Sequence, residues 1–226
     1  MFGMSNSTLI SYEKLSPNHS GERTSKICRI TPHCFVGQCS VERIGKSFES
    51  SKNGTSSNYG IGYDGKIGLY VPENCRSWCS SSRDNDHKAV TIECASDNFE
   101  PYAMKAVVYN SLVKLCVDIC KRNGKTVLLW MGDKEKTLSY SPKSNEMVLT
   151  VHRWFANKSC PGEWLYSRLG ELAKTVTKEL NWNSEHEDII YRVQVGAFRN
   201  KQNAENYLSK IKKAGFPDAF IAVTKK

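Results

Sequence analysis

The stretch that most constrains the fold is Val148–Leu165, VLTVHRWFANKSCPGEWL. Val148, Leu149 and Val151 are apolar and β-prone, so the stretch opens as a strand with His152 at its end. Cys160 follows in the next loop, with Lys158 two positions before it and Pro161-Gly162 directly after. A strand ending in His, a short polar loop ending in Cys-Pro and a helix behind it can bring an imidazole and a thiol together, the pair that zinc prefers. A catalytic zinc usually has three protein ligands and one open position. The third candidate is His33, in the short strand Ile30-Thr31-Pro32-His33-Cys34-Phe35-Val36. Each of the three alone reads as an ordinary core or surface residue. Together, in these strand-end settings, they point to a metal site.

Around these residues the chain alternates strands with long helices. Strands are expected at 29–37, 89–94, 126–131 and 148–151. A short helix is expected over 40–48, with Ser40 near its N-cap. Residues 58–71 read as a hairpin: Tyr59, Ile61 and Tyr63 alternate with glycines, Asp64-Gly65 turns, and Ile67, Leu69 and Val71 return. Residues 78–87 form a polar loop that could line a substrate groove. Residues 101–123 carry a helical apolar stripe of Met104, Val107, Val108, Leu112, Leu115, Cys116 and Ile119, with Gly124 fit for the C′ position. Residues 132–146 are a lysine-rich excursion, and 163–180 a second amphipathic helix. The fold class is therefore α/β, a central mixed β-sheet flanked by helices.

Residues 181–188, NWNSEHED, read as a linker between a domain over 1–180 and a unit over 189–226. In that unit the pattern restarts as a small βαβ: strand 190–196, helix 201–214, strand 219–223. Two strands and one helix are too few to stand alone.

The 226 residues are 39% hydrophobic and 24% charged, globular values that exclude wholesale disorder. The net charge of +9 suits an anionic partner. No helix-turn-helix or RNA-binding aromatic pattern is present, so nucleic acid is not expected. No apolar run approaches membrane-spanning length. The opening MFGMSNS lacks the basic and apolar regions of a secretory signal, so the chain is expected to be made in a reducing cytosol with its nine cysteines as free thiols. Cys75 and Cys79 flank Trp78 in a loop, without a further ligand pair to support a second metal site.

The sequences around His33, Asn58–Gly65, Glu93 and His152–Pro161 resemble zinc-dependent N-acetylmuramoyl-L-alanine amidases, the group that includes phage amidases and peptidoglycan recognition proteins; clostridial phage amidases look most similar. The resemblance spans about residues 7–180. It implies a Zn2+ ion held by His33, His152 and Cys160. It places the family's acidic residue at Glu93, in Val90-Thr91-Ile92-Glu93, and its loop lysine at Lys158. Glu93 suits proton transfer and Lys158 suits stabilisation of an oxyanion. Some members use a hairpin tyrosine; that register holds Ser57 here, with Tyr59 two residues away. The implied reaction cuts the amide between N-acetylmuramic acid and the L-alanine of the stem peptide, in a phage or prophage endolysin released through a holin pore, or alternatively in a bacterial autolysin or a non-catalytic peptidoglycan-binding protein. Residues 190–226 resemble one half of a SPOR-type peptidoglycan-binding module. Arg192 and Gln194 are its candidate glycan contacts, and the missing half is expected from a second chain, giving a homodimer, or alternatively the unit docks on its own amidase domain.

Overall fold

The computed structural model describes residues 6–186 and 193–223. The chain divides into two units, Met1–His186 and Glu187–Lys226. The strands of the first are β1 (Tyr12–Glu13), β2 (His19–Glu22), β3 (Arg29–Val36), β4 (Tyr59–Ile61), β5 (Ile67–Leu69), β6 (Cys75–Ser77), β7 (Ala89–Ser96), β8 (Val127–Leu129) and β9 (Glu146–Leu149). Its helices are α1 (Val41–Lys46), α2 (Arg83–Lys88), α3 (Ala106–Arg122), α4 (Lys134–Ser139), α5 (Gly162–Tyr166) and α6 (Leu169–His186). One sheet runs in the order β1-β5-β4-β7-β3-β9-β8. Its neighbours are parallel except for the β4–β5 hairpin, so the sheet is mixed as expected. β2 and β6 form a separate ribbon.

The central strands β3 and β7 pair in parallel, His33 beside Glu93 and Thr31 beside Thr91. Side chains alternate across a strand, so each strand contributes one set of residues to each face of the sheet. Ile30, Val90, Ile92 and Cys94 join Leu112, Leu115, Cys116 and Ile119 of α3 and Leu169, Leu172 and Val176 of α6 in the main core. Burying each large aliphatic side chain there contributes about 1.5–3 kcal/mol. The other face carries Arg29, Thr31, His33, Thr91 and Glu93. Beneath α2 it is a buried hydrogen-bonded layer: Thr31 Oγ1 lies 2.7 Å from Thr150 Oγ1, and Asn85 Nδ2 donates to Thr31 Oγ1 at 3.0 Å. At the β4–β5 end this face is apolar again, where Tyr70 packs with Ile44 and Phe48. Gly60 and Gly68 admit the Tyr70 ring; a Cβ at either would come within 2.7 and 2.5 Å of it.

Helix ends follow local chemistry. Ser40 accepts from Arg43 N to cap α1. Gly124, at φ +66°, ends α3; Lys125 N donates to Cys120 O and Gly124 N to Lys121 O, a Schellman pair. α3 begins five residues later than the periodicity suggests, because Tyr102 has φ +54°, outside the helical region. Val107, expected in the stripe, is exposed. The expected helix over 163–180 is two helices. Ser167 Oγ donates to Glu163 O and Arg168 Nη1 to Trp164 O, side-chain bonds that compete with helix continuation. The stretch read as a linker from 181 is helical through His186; from Glu171 to that point neither Gly nor Pro interrupts α6. The polar loop 78–87 contains α2, capped by Ser82, and the lysine-rich excursion contains α4, capped by Asp133.

In the second unit α7 (Lys201–Lys213) forms where a helix was expected, with Asn200 accepting from Asn203 N. Residues 193–196 and 219–223, expected as strand, are not strand; residues 190–192, Arg192 among them, lie outside the described residues. A strand needs a neighbour to complete its ladder, and alternation in the sequence records only the capacity to pair. Gln194 is exposed.

Candidate active site

His33 sits deep in β3, 1% exposed. His152 lies in a 3-10 turn, His152–Trp154, just past β9 rather than within the strand. The loop from His152 to Cys160 is closed by its own hydrogen bonds: Arg153 N donates to Cys160 O at 3.1 Å, and the Arg153 side chain donates through Nη2 to Ser159 O at 2.6 Å. This closure brings Cys160 back to the sheet. Its Sγ lies 3.3 Å from His33 Nδ1, and the two imidazole rings meet edge to face at 5.1 Å. One ligand atom from each of His33, His152 and Cys160 lies within 4.8 Å of the others. Gly162, at φ +79°, lets this loop settle on the turn at Pro101; a Cβ there would come within 2.8 Å of Pro101 O.

Burial, then neighbouring His152, holds His33 well below the ordinary imidazole range. Burial, then Lys158, lowers His152. Both rings are therefore neutral at pH 7 and offer a lone pair, as a metal requires. His152 Nε2 is hydrogen-bonded to Ser81 Oγ at 2.9 Å, which leaves Nδ1 for a ligand. The Cys160 thiol is pushed up, first by its hydrogen bond with Cys34 and then by burial, so metal binding there must displace a proton. Two nitrogens and one sulfur suit zinc, and a tetrahedral zinc places adjacent N and S ligands roughly 3.5 Å apart, close to the separation observed.

Glu93 stands beside His33 in register. Burial raises its carboxyl to about 7, a rise that a hydrogen bond from Cys79 opposes. Its Oε2 is buried without a hydrogen-bond partner among the described residues, as is His33 Nε2. Lys158 is exposed in the loop before Cys160. Tyr59 points away to the apolar face, where its hydroxyl donates to Glu73 Oε1 at 2.6 Å and accepts from Ser7 N at 2.9 Å. Residues that sequence reasoning did not place in the site are Ser81 and Cys79. Ser81 belongs to the loop expected to line a groove. Cys79 joins His33 and Glu93 in a second donor group within 4.8 Å.

A cluster able to hold a metal, beside a buried carboxyl raised to about 7, has the residue types that metal-assisted hydrolysis would need. The family description N-acetylmuramoyl-L-alanine amidase matches residues 21–163, more than half of the chain, and the description SPOR domain matches 188–226. The chain belongs to the N-acetylmuramoyl-L-alanine amidase family, whose substrate is peptidoglycan. Among curated proteins none matches. Among solved structures, the crystal structure of a selenomethionine AmpD derivative is 16% identical, covering 76% of this chain and 99% of that one at a TM-score of 0.52. PlyL is 16% identical, covering 73% and 95% at 0.51. The endolysin amidase LysCS from Clostridium intestinale URNW is 18% identical, covering 70% and 90% at 0.49. The first two share this fold. Among the described residues no helix is long and apolar enough to cross a membrane.

Proposed function

We propose that the chain hydrolyses the amide between the lactyl group of N-acetylmuramic acid and the L-alanine of the stem peptide. The observation that carries this is the convergence of His33, His152 and Cys160 beside buried Glu93 on one face of the sheet. His33, His152 and Cys160 would hold zinc, which when bound polarises the carbonyl and lowers the pKa of water. Glu93, titrating near 7, takes the proton from the attacking water and returns it to the leaving amine. Lys158, two residues from Cys160, stabilises the oxyanion as charge moves onto the carbonyl oxygen. A non-catalytic peptidoglycan-binding role has no use for a complete His-His-Cys set and a carboxylate tuned to neutrality.

The SPOR match supports action on polymeric wall, as an endolysin or an autolysin would act, rather than on soluble fragments. The second unit supports pairing between chains: its described residues comprise one helix with no buried residue, and Val193, Val195, Phe216, Phe220 and Val223 are exposed. We assign this apolar surface to a second copy of the same segment. Light scattering on the full chain and on one ending at His186 tests it; a monomer in both cases removes the dimer.

The chemistry is tested by incubating the protein with purified cell walls. New N-terminal alanine with intact glycan strands is expected. New reducing ends without free alanine would make the enzyme a glycosidase.

A further inference from the structure

Cys79 takes no part in the roles assigned above, yet it is held against the residue that matters most to them. Its backbone N donates to Asp86 Oδ2 at 3.1 Å. The Asp86 carboxylate also accepts from Ser80 N at 3.2 Å and from Ser80 Oγ at 2.6 Å. Asp86 is itself 2% exposed, so Cys79 hangs from a buried, fully engaged anchor. Its Sγ then lies 3.7 Å from Glu93 Oε1, within sulfur hydrogen-bond range. Burial, then the charge of Glu93, pushes the Cys79 thiol well up, so the sulfur keeps its proton and donates it.

A glutamate's last torsion is broad and roughly two-fold, so a carboxylate without a partner does not choose an orientation. Among the described residues the thiol is the hydrogen-bond partner of the Glu93 carboxylate; Oε2 is buried with none. Resting on the reading of Glu93 as general base, we propose that Cys79 is a positioning residue: its S–H fixes Oε1 and thereby presents Oε2 to the reacting water. The same three residues, His33, Cys79 and Glu93, could also hold an ion, and the test separates that outcome.

The test uses the full chain with Cys79→Ala and Cys79→Ser, a soluble muramoyl peptide as substrate, metal analysis, and the infrared S–H stretching band. Loss of one weak hydrogen bond to the reacting group predicts a fall in kcat of about tenfold for Cys79→Ala. KM and metal content stay unchanged, and Cys79→Ser recovers most of the rate. The parent-minus-Cys79→Ala spectrum contains a hydrogen-bonded S–H band that moves in Glu93→Gln. The proposal is overturned if Cys79→Ala keeps its kcat within twofold, or if Cys79→Ser is as impaired as Cys79→Ala. Lost metal in Cys79→Ala would make the thiol a ligand instead, which also overturns it. Should Cys79→Ala fail to fold, or the parent prove inactive on this substrate, the S–H band of the parent against that of Glu93→Gln decides alone: an unmoved band ends the idea. An inactive parent counts against the proposed reaction, not against this contact.

Discussion

Ile92 and Glu93 are neighbours on β7 and face opposite sides of one sheet. Ile92 enters a core where its aliphatic neighbours need only exclude water. Glu93 enters a layer where each polar atom needs a partner, and one of its oxygens has none among the described residues. The first face gains stability from every group it buries. The second gives some up, because a carboxyl and two imidazoles are held where their charged forms are disfavoured. The apolar face is what lets the site face depart from its own stability optimum.

The sharpest break in this comparison is Cys160→Ser. It should abolish both zinc binding and wall hydrolysis while leaving the fold intact, since Cys160 is peripheral to the main core; metal analysis and circular dichroism check it. Full zinc occupancy in this variant would remove Cys160 from the ligand set.

Glu93→Gln comes next. Activity should fall about 10²–10⁴-fold with zinc retained. In the parent, kcat should rise with pH as the Glu93 carboxyl ionises, a limb of the profile that Glu93→Gln should lack. Stability moves the other way. The unfolded carboxyl titrates near its ordinary 4.5 and the folded one near 7, so between these values the folded state holds the extra proton. The Glu93 contribution is therefore fully present below about 4.5 and lost as pH rises through 7. Glu93→Gln cannot ionise, so it should melt higher than the parent above pH 7 and about equally with it at pH 4. Thermal scans of the metal-free protein at the two pH values check the sign; a lower melting temperature for Glu93→Gln at pH 8 would contradict the account of this face.

Ile92→Ala, one residue away, should lose about 2–5 kcal/mol by denaturant titration, the cost of a cavity in a packed core. Thr31→Val probes the polar layer between the two extremes. It leaves Asn85 Nδ2 and Thr150 Oγ1 short of a partner and should lose about 1–3 kcal/mol despite adding an apolar group. A stabilised Thr31→Val would show that the layer tolerates apolar replacement and that the two faces differ less than described.

Much of this was legible in the residues. The alternation Arg29, Thr31, His33 against Ile30 and Cys34, and Thr91, Glu93 against Val90, Ile92, Cys94, assigns each side chain to a face once strands are granted. The same rule sends Tyr59 with Ile61 to the apolar side, away from the site. Cys79 and Ser81 were not legible in their roles. They lie where no periodicity applies, and Asp86, which anchors Cys79, reads as one more acidic residue in a polar loop. The break between α5 and α6 was hidden because Ser167 and Arg168 are ordinary helix residues until their side chains take the carbonyls of the preceding turn. The strands expected around α7 depend on a neighbour that local sequence does not supply.

The hydrogen bond from Arg153 N to Cys160 O bears on how an ion arrives. Closing a flexible loop of this length costs about 2 kcal/mol of chain entropy by the logarithmic loop rule. The polypeptide contributes a backbone bond of its own to this closure, so bonds to an ion need not supply all of the ordering. For an ion held by His152 and Cys160, about 2 kcal/mol of binding free energy, close to thirtyfold in affinity, is the most that shaping the loop would take.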